Sequence, residues 1–135
     1  MTPRKAPAIA SSQPGDMGRG YKSYLVFFQC PAQVVDTGAR RFALGEGVYV
    51  YVGSCGASCI RRVLRHLERS QTKRWHIDYL NCAALYAAVL KRSEEEVAAC
   101  LSQLCPHVPG FGSTDDPANP SHLFQCRPAD AIQCV

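Results

Sequence analysis

Three groups of residues in this 135-residue chain could do chemistry on a phosphate. Tyr49 and Tyr51 lie two apart in Val48-Tyr49-Val50-Tyr51-Val52. A strand has a side-chain period of two, so both hydroxyls share one face and the valines take the other. Arg62, Arg65, His66 and Arg69 recur at i, i+3, i+4 and i+7, a basic helical stripe. From Arg61 to Arg74 six basic residues (Arg61, Arg62, Arg65, Arg69, Lys73, Arg74) stand against one acid, Glu68. The local excess is larger than the +4 of the whole chain. That concentration suits an anion-binding face, and it would equally serve as a solvated helix face. The third group is Glu94-Glu95-Glu96. Phosphodiester hydrolysis needs a cation for the charge of the transition state, a group that orients or deprotonates water, and usually a divalent metal held by a carboxylate.

Helix geometry ranks the glutamates. Ser93 with Glu96 three later forms a capping box and places a helix start at Ser93. The apolar stripe of Val97, Cys100, Leu101 and Leu104 centres roughly 70° from Glu94, about 90° from Glu96 and nearly opposite Glu95 at ~100° per residue. Glu95 is expected in solvent and Glu96 has the cap to complete. Glu94, flanking the buried side, is the best metal-ligand candidate. All three also simply favour the positive end of the helix dipole. Other chemistries find less support. Cys55/Cys59 and His122/Cys126 have ligand types but no second pair at a zinc-finger distance. Gly53-Ser54-Cys55-Gly56 lacks the length and the lysine of a phosphate-binding loop.

The elements that position these residues follow from periodicity. Residues 1–20, rich in Pro, Ala, Ser and Gly, read as a disordered tail, with one ordered domain over 21–135. Tyr24 to Phe28 is a buried strand ending at Pro31, and Phe42-Ala43-Leu44 a short one before the Gly45-Glu46-Gly47 turn. The Val48–Val52 strand is expected to stop at Gly53. Ile60 to Arg69 is a helix whose apolar stripe (Ile60, Val63, Leu64, Leu67) lies opposite the basic one. Trp75 is expected to open a helix through Ala84, followed by a strand from Tyr86 to Leu90. The Ser93 helix ends at Pro106. Val108 to Asn119 is loop, and Ser121 to Cys126 a last strand. The fold class is mixed α/β (α+β) with a small sheet.

Composition sets outer bounds. The chain is 47% hydrophobic and 19% charged, a globular profile. Its apolar runs are too short for a bilayer-spanning helix, so no membrane partner is expected. Arg4 and Lys5 are not followed by an apolar stretch, so a secretory signal is not expected. A cytoplasmic location follows as an expectation. The eight cysteines are then expected to be reduced and, for the most part, small buried apolar residues.

The run Gly47-Val48-Tyr49-Val50-Tyr51-Val52-Gly53-Ser54, the stretch Arg62 to Leu67, Trp75-His76-Ile77-Asp78-Tyr79-Leu80, Gly110-Phe111-Gly112-Ser113 and Ser121-His122-Leu123-Phe124 together resemble the family DUF123, which is similar to the GIY-YIG nuclease superfamily. The resemblance covers about residues 22 to 126. It implies a small central antiparallel sheet flanked by helices and an endonuclease that uses Mg²⁺ or Mn²⁺. Its Tyr-Ile-Gly element matches Tyr51-Val52-Gly53. Its Gly-Ile-Tyr element matches Lys22-Ser23-Tyr24, without the glycine. Tyr49 rivals Tyr24, although the superfamily places its two tyrosines on two strands. Arg62 matches the helix arginine, His66 its frequent companion and Glu94 the metal-binding glutamate, with Glu95 and Glu96 as near alternatives. On that template a tyrosine hydroxyl helps activate water, Arg62 stabilises phosphate charge and Glu94 holds the metal. Arg65, Arg69, Lys73 and Arg74 would then hold the nucleic-acid backbone, that of DNA, with little sequence selectivity. His76, Asp78 and His122 resemble family hallmarks and would line the same pocket. The loop before Ser121 lacks the cysteines usual in the family. Two functions follow: a metal-dependent endonuclease, structure-selective or repair-linked, and a non-catalytic nucleic-acid-binding module that keeps the basic helix.

Overall fold

A computed structural model of the chain describes residues 8–11, 20–56, 58–68, 80–111 and 121–135. The strands are β1 (Ala8–Ser11), β2 (Ser23–Cys30), β3 (Gln33–Asp36), β4 (Arg41–Leu44), β5 (Gly47–Ser54), β6 (Ala83–Leu90) and β7 (Leu123–Gln125). The helices are α1 (Cys59–Glu68), α2 (Glu94–Leu104) and α3 (Pro128–Ala131), the last running into a 3₁₀ turn, Ile132–Cys134. The main sheet has the order β1-β6-β2-β5-β7. Its β6-β2-β5-β7 portion is antiparallel throughout, and β1 joins β6 in parallel at the edge. β3 and β4 form a separate hairpin. This is the α+β class expected from the sequence.

β2 is the centre of the sheet. Its run of apolar and aromatic residues can be buried on both faces, which an alternating strand could not tolerate. Tyr24, Val26 and Phe28 face α1 and the β3–β4 hairpin, with Tyr49 and Tyr51 of β5. Leu25 and Phe27 face α2 and α3, with Val50 and Val52. The strict alternation of β5 therefore supplies aromatics to one core and valines to the other. Phe42 of the hairpin meets Phe111 edge-on at 4.9 Å, closing the first core. Ser93 accepts the Glu96 N–H at 3.2 Å and caps α2, but the return bond of a capping box, from the Ser93 N–H to the Glu96 carboxylate, is not made. The Glu96 carboxylate lies 3.7 Å from Arg92 Nε, one turn earlier.

Several expectations are corrected. Ala8–Ser11, within the stretch read as a disordered tail, forms β1 because the edge of β6 offers it unpaired backbone groups. β5 runs through Gly53 to Ser54 rather than stopping at the glycine. The helix expected through Ala84 does not reach it, since Ala83 already opens β6. β3 and α3 carry too short a pattern to stand out in the sequence.

The cysteines are the largest correction. All eight are paired: Cys30–Cys82, Cys55–Cys59, Cys100–Cys134 and Cys105–Cys126. Three bridges join distant segments, with sequence separations of 52, 34 and 21, and Cys55–Cys59 closes a separation of 4. Burial and pairing coexist here, so a buried cysteine need not be a reduced one. It also takes Cys55, Cys59 and Cys126 out of consideration as thiolate metal ligands.

In the chain-entropy account a long loop stabilises more than a short one, about 4 kcal/mol for Cys30–Cys82 against about 2 kcal/mol for Cys55–Cys59. Urea denaturation should therefore show Cys30→Ala/Cys82→Ala losing more stability than Cys55→Ala/Cys59→Ala. Alkylation of the denatured, unreduced chain should modify no cysteine.

Candidate active site

Tyr24 and Tyr51 stand on neighbouring strands. Tyr24 pairs with Gly53, and Tyr51 with Val26, two residues along on each strand. The period of two points both side chains to the α1 face, where their rings lie 6.4 Å apart. Gly53 is required by this packing. A Cβ there would collide with the end of the Tyr24 ring, so the tyrosine crosses its partner strand only where the side chain is a hydrogen.

α1 brings His66 onto the two rings. Ser58 Oγ accepts the Arg61 N–H at 3.3 Å and caps the helix start. Cys59, Val63 and His66, one helical side, point into the sheet and are buried. The His66 ring centroid lies 5.4 Å from Tyr24 and 5.6 Å from Tyr51, and Tyr24 Oη is 2.7 Å from His66 Nε2. His66 is 6% exposed. The expected basic stripe is thus corrected. His66 faces the core, Arg62 and Arg65 are half-buried, and Leu64, placed in the apolar stripe, is 37% exposed. The hydroxyl of Tyr24 gives the imidazole a polar partner inside, and this outweighs the bare pattern of apolar residues.

Arg62 is seated on the turn between β5 and α1. Its Nη1 donates to the Ser54 carbonyl at 2.8 Å. Gly56, with φ +55, lets the guanidinium lie against the turn, since a Cβ there would stand 2.6 Å from Nη2. The Cys55–Cys59 disulfide closes this same turn. Ser54 pairs with Ser23, the residue before Tyr24.

Glu94 and His122 form a second pair at this end of the sheet. Ser23 Oγ donates to the Arg92 carbonyl at 2.7 Å, which holds the turn from β6 into α2 against the start of β2. Glu94 opens α2 and is half-buried, whereas Glu95 and Glu96 are exposed, the order that helix geometry anticipates. Its Oε1 lies 3.5 Å from Nδ1 of His122, which is 1% exposed. Tyr24, Tyr51, His66 and Arg62 belong to the α1 side, while Glu94 belongs to the helix on the other face.

Two other candidates stand elsewhere. Tyr49 points to the opposite end of β5, where its hydroxyl donates to the Gly45 carbonyl at 2.8 Å and burial pushes its pKa up. Tyr49 therefore stands apart from the contact between Tyr24 and Tyr51. Arg69, Lys73, Arg74, His76 and Asp78 lie outside the described residues. Sequence reasoning missed Ser23, Gly56 and the disulfide-closed turn, which act through backbone contacts that no local pattern announces. Among the described residues no three His, Cys, Asp or Glu gather as a metal cage.

Fold and site define a small α+β domain with a tyrosine–histidine–arginine cluster at one sheet end. The chain belongs to DUF123: the family model described as "Domain of unknown function DUF123" matches residues 23–135. No curated protein and no solved structure matches it.

The close approaches give a direct test. Gly53→Ala should displace Tyr24 from His66 and cost about 1–3 kcal/mol by overpacking. Urea denaturation reads the cost, and the histidine ring resonances in an NMR spectrum read the displacement.

Proposed function

We propose that this protein is a metal-dependent endonuclease that hydrolyses phosphodiester bonds in DNA, acting on a branched or damaged structure, by a chemistry like that of the GIY-YIG nucleases. The observation that carries the reading is the convergence of Tyr24, Tyr51 and His66 within hydrogen-bond and ring contact, beside an arginine held on the adjoining turn.

The residues divide the work. In the tautomer with a bare Nε2, His66 accepts the Tyr24 O–H hydrogen bond, so that as the Tyr24 oxygen takes a proton from an attacking water its own proton passes to His66 Nε2. Tyr51 walls the other side of the imidazole and fixes its plane. Arg62 would bring positive charge to the phosphate, and its bond to Ser54 and the close approach of Gly56 set where that charge lies. Glu94 would hold Mg²⁺ or Mn²⁺. A single half-buried carboxylate fits such an ion, which commonly keeps several waters and takes its other ligands from substrate phosphate. Bound there, the ion would supply charge stabilisation on the phosphate and on the departing oxygen. Arg65, on α1, extends the positive side, and Arg69, Lys73 and Arg74 would continue it along the nucleic-acid backbone.

The membrane plays no part in this reading, and no helix among the described residues is long and apolar enough to cross one. The four disulfides suit an oxidising compartment, or the disulfide-rich interior of a hyperthermophile cell, better than a reducing cytosol.

End-labelled single-stranded, duplex, flap and four-way-junction DNA should be cleaved with Mg²⁺ or Mn²⁺ and not with a chelator. Arg62→Ala and Glu94→Ala should each lower the rate by about 10²-fold or more. Salt-sensitive binding with no cleavage of any substrate would instead support the non-catalytic binding module.

A further inference from the structure

His122 is the least exposed ionisable side chain among the described residues, at 1%, and the proposed chemistry leaves it unused. Its backbone is held from both sides. The His122 N–H donates to the Phe111 carbonyl at 2.8 Å, and its carbonyl accepts the Val52 N–H at 2.9 Å. Ser121 Oγ accepts the Leu123 N–H at 3.0 Å, fixing the turn into β7. With its backbone held and its ring buried, His122 is a fixed point against which a partner can be set. Its Nδ1 lies 3.5 Å from Glu94 Oε1. Glu94 sits in the first turn of α2, whose backbone the Ser93 cap fixes.

We infer that His122 is a positioning residue for Glu94: its Nδ1–H holds one carboxylate oxygen and thereby turns the other toward a divalent cation. This rests on the reading of Glu94 as the metal ligand. A ring N–H on a ligating carboxylate is a common outer-shell arrangement, and its loss typically weakens metal binding by about 10- to 100-fold. The alternative is that His122 simply fills space between β7 and α2. The two differ in what they need from the side chain. Positioning needs an N–H at the δ position, which Asn can supply. Packing needs the ring, which Phe supplies without the donor.

Mn²⁺ alone, titrated into the oxidised full chain and followed by the electron paramagnetic resonance of free Mn²⁺, reads the site without substrate or turnover. The expected result is about 10- to 100-fold weaker Mn²⁺ binding in His122→Phe, wild-type-like affinity within a few-fold in His122→Asn, and no binding in Glu94→Gln. Circular dichroism and urea denaturation establish that each variant is folded. Should His122→Phe not fold, His122→Gln, which moves its amide beyond the δ position, takes its place with the same expectation. Binding that disappears in Glu94→Gln but is unchanged in His122→Phe overturns this inference and leaves the metal reading of Glu94 standing. Binding unaffected by Glu94→Gln, or absent from wild type, overturns both.

Discussion

The register of β2 against β5 is the constraint on which the rest of this protein depends. Pairing Tyr24 with Gly53 sets the Tyr24 ring across the one position of β5 that has no side chain. A slip of one residue would put Tyr24 against a valine or serine and turn the whole strand over. Because β2 is buried on both faces and paired on both edges, such a slip would disrupt both cores at once. The tyrosines, the seat of α1 and the turn that carries Arg62 therefore all follow from one strand pairing.

The same register explains why the site lies at an end of the sheet rather than on a face. Tyr24 and Ser54 are near the end of the β2/β5 pair, and the turn from β6 into α2 is tied there through Ser23. One helix approaches from each face, so a tyrosine–histidine cluster from the α1 side and a carboxylate–histidine pair from the α2 side share a rim. Arg62 and Glu94 are half-buried there, whereas Tyr24, Tyr51, His66 and His122 are buried behind them. The two histidines differ in their surroundings: His66 contacts a phenol oxygen at 2.7 Å, and His122 approaches a carboxylate at 3.5 Å.

The disulfides tie a strand end, a turn and the C-terminal segment to the rest of the fold. Cys100–Cys134 and Cys105–Cys126 bind α2 to the C-terminal segment, and Cys30–Cys82 joins β2 to the entry of β6. Cys55–Cys59 is different in kind, because it closes the local turn on which Arg62 rests. Cysteine counting alone cannot distinguish buried thiols from buried disulfides, since both place a small apolar group in the core. Only spatial pairing decides, and spacing in the chain does not report it.

The sequence by itself determined the strands whose periodicity is strong. Tyr24–Phe28 and Val48–Val52 could be placed from β-branched and aromatic runs, and the two faces of β5 from strict alternation. The start of α2 and the ranking of Glu94 over Glu95 and Glu96 were also legible, because a capping box and a fixed ~100° turn per residue are local rules. Tertiary structure decided the rest. It turned His66 inward against the apolar pattern of α1, because a phenol on another strand offered it a hydrogen-bond partner. It chose Tyr24 over Tyr49, since the tilt toward one end of a strand depends on what lies there: a backbone carbonyl at Gly45, or His66 on α1. It brought β1 to an open edge and His122 to Glu94, contacts between segments far apart in the chain. Periodicity records which face a residue takes, whereas the partner waiting on that face is set only when the chain closes on itself.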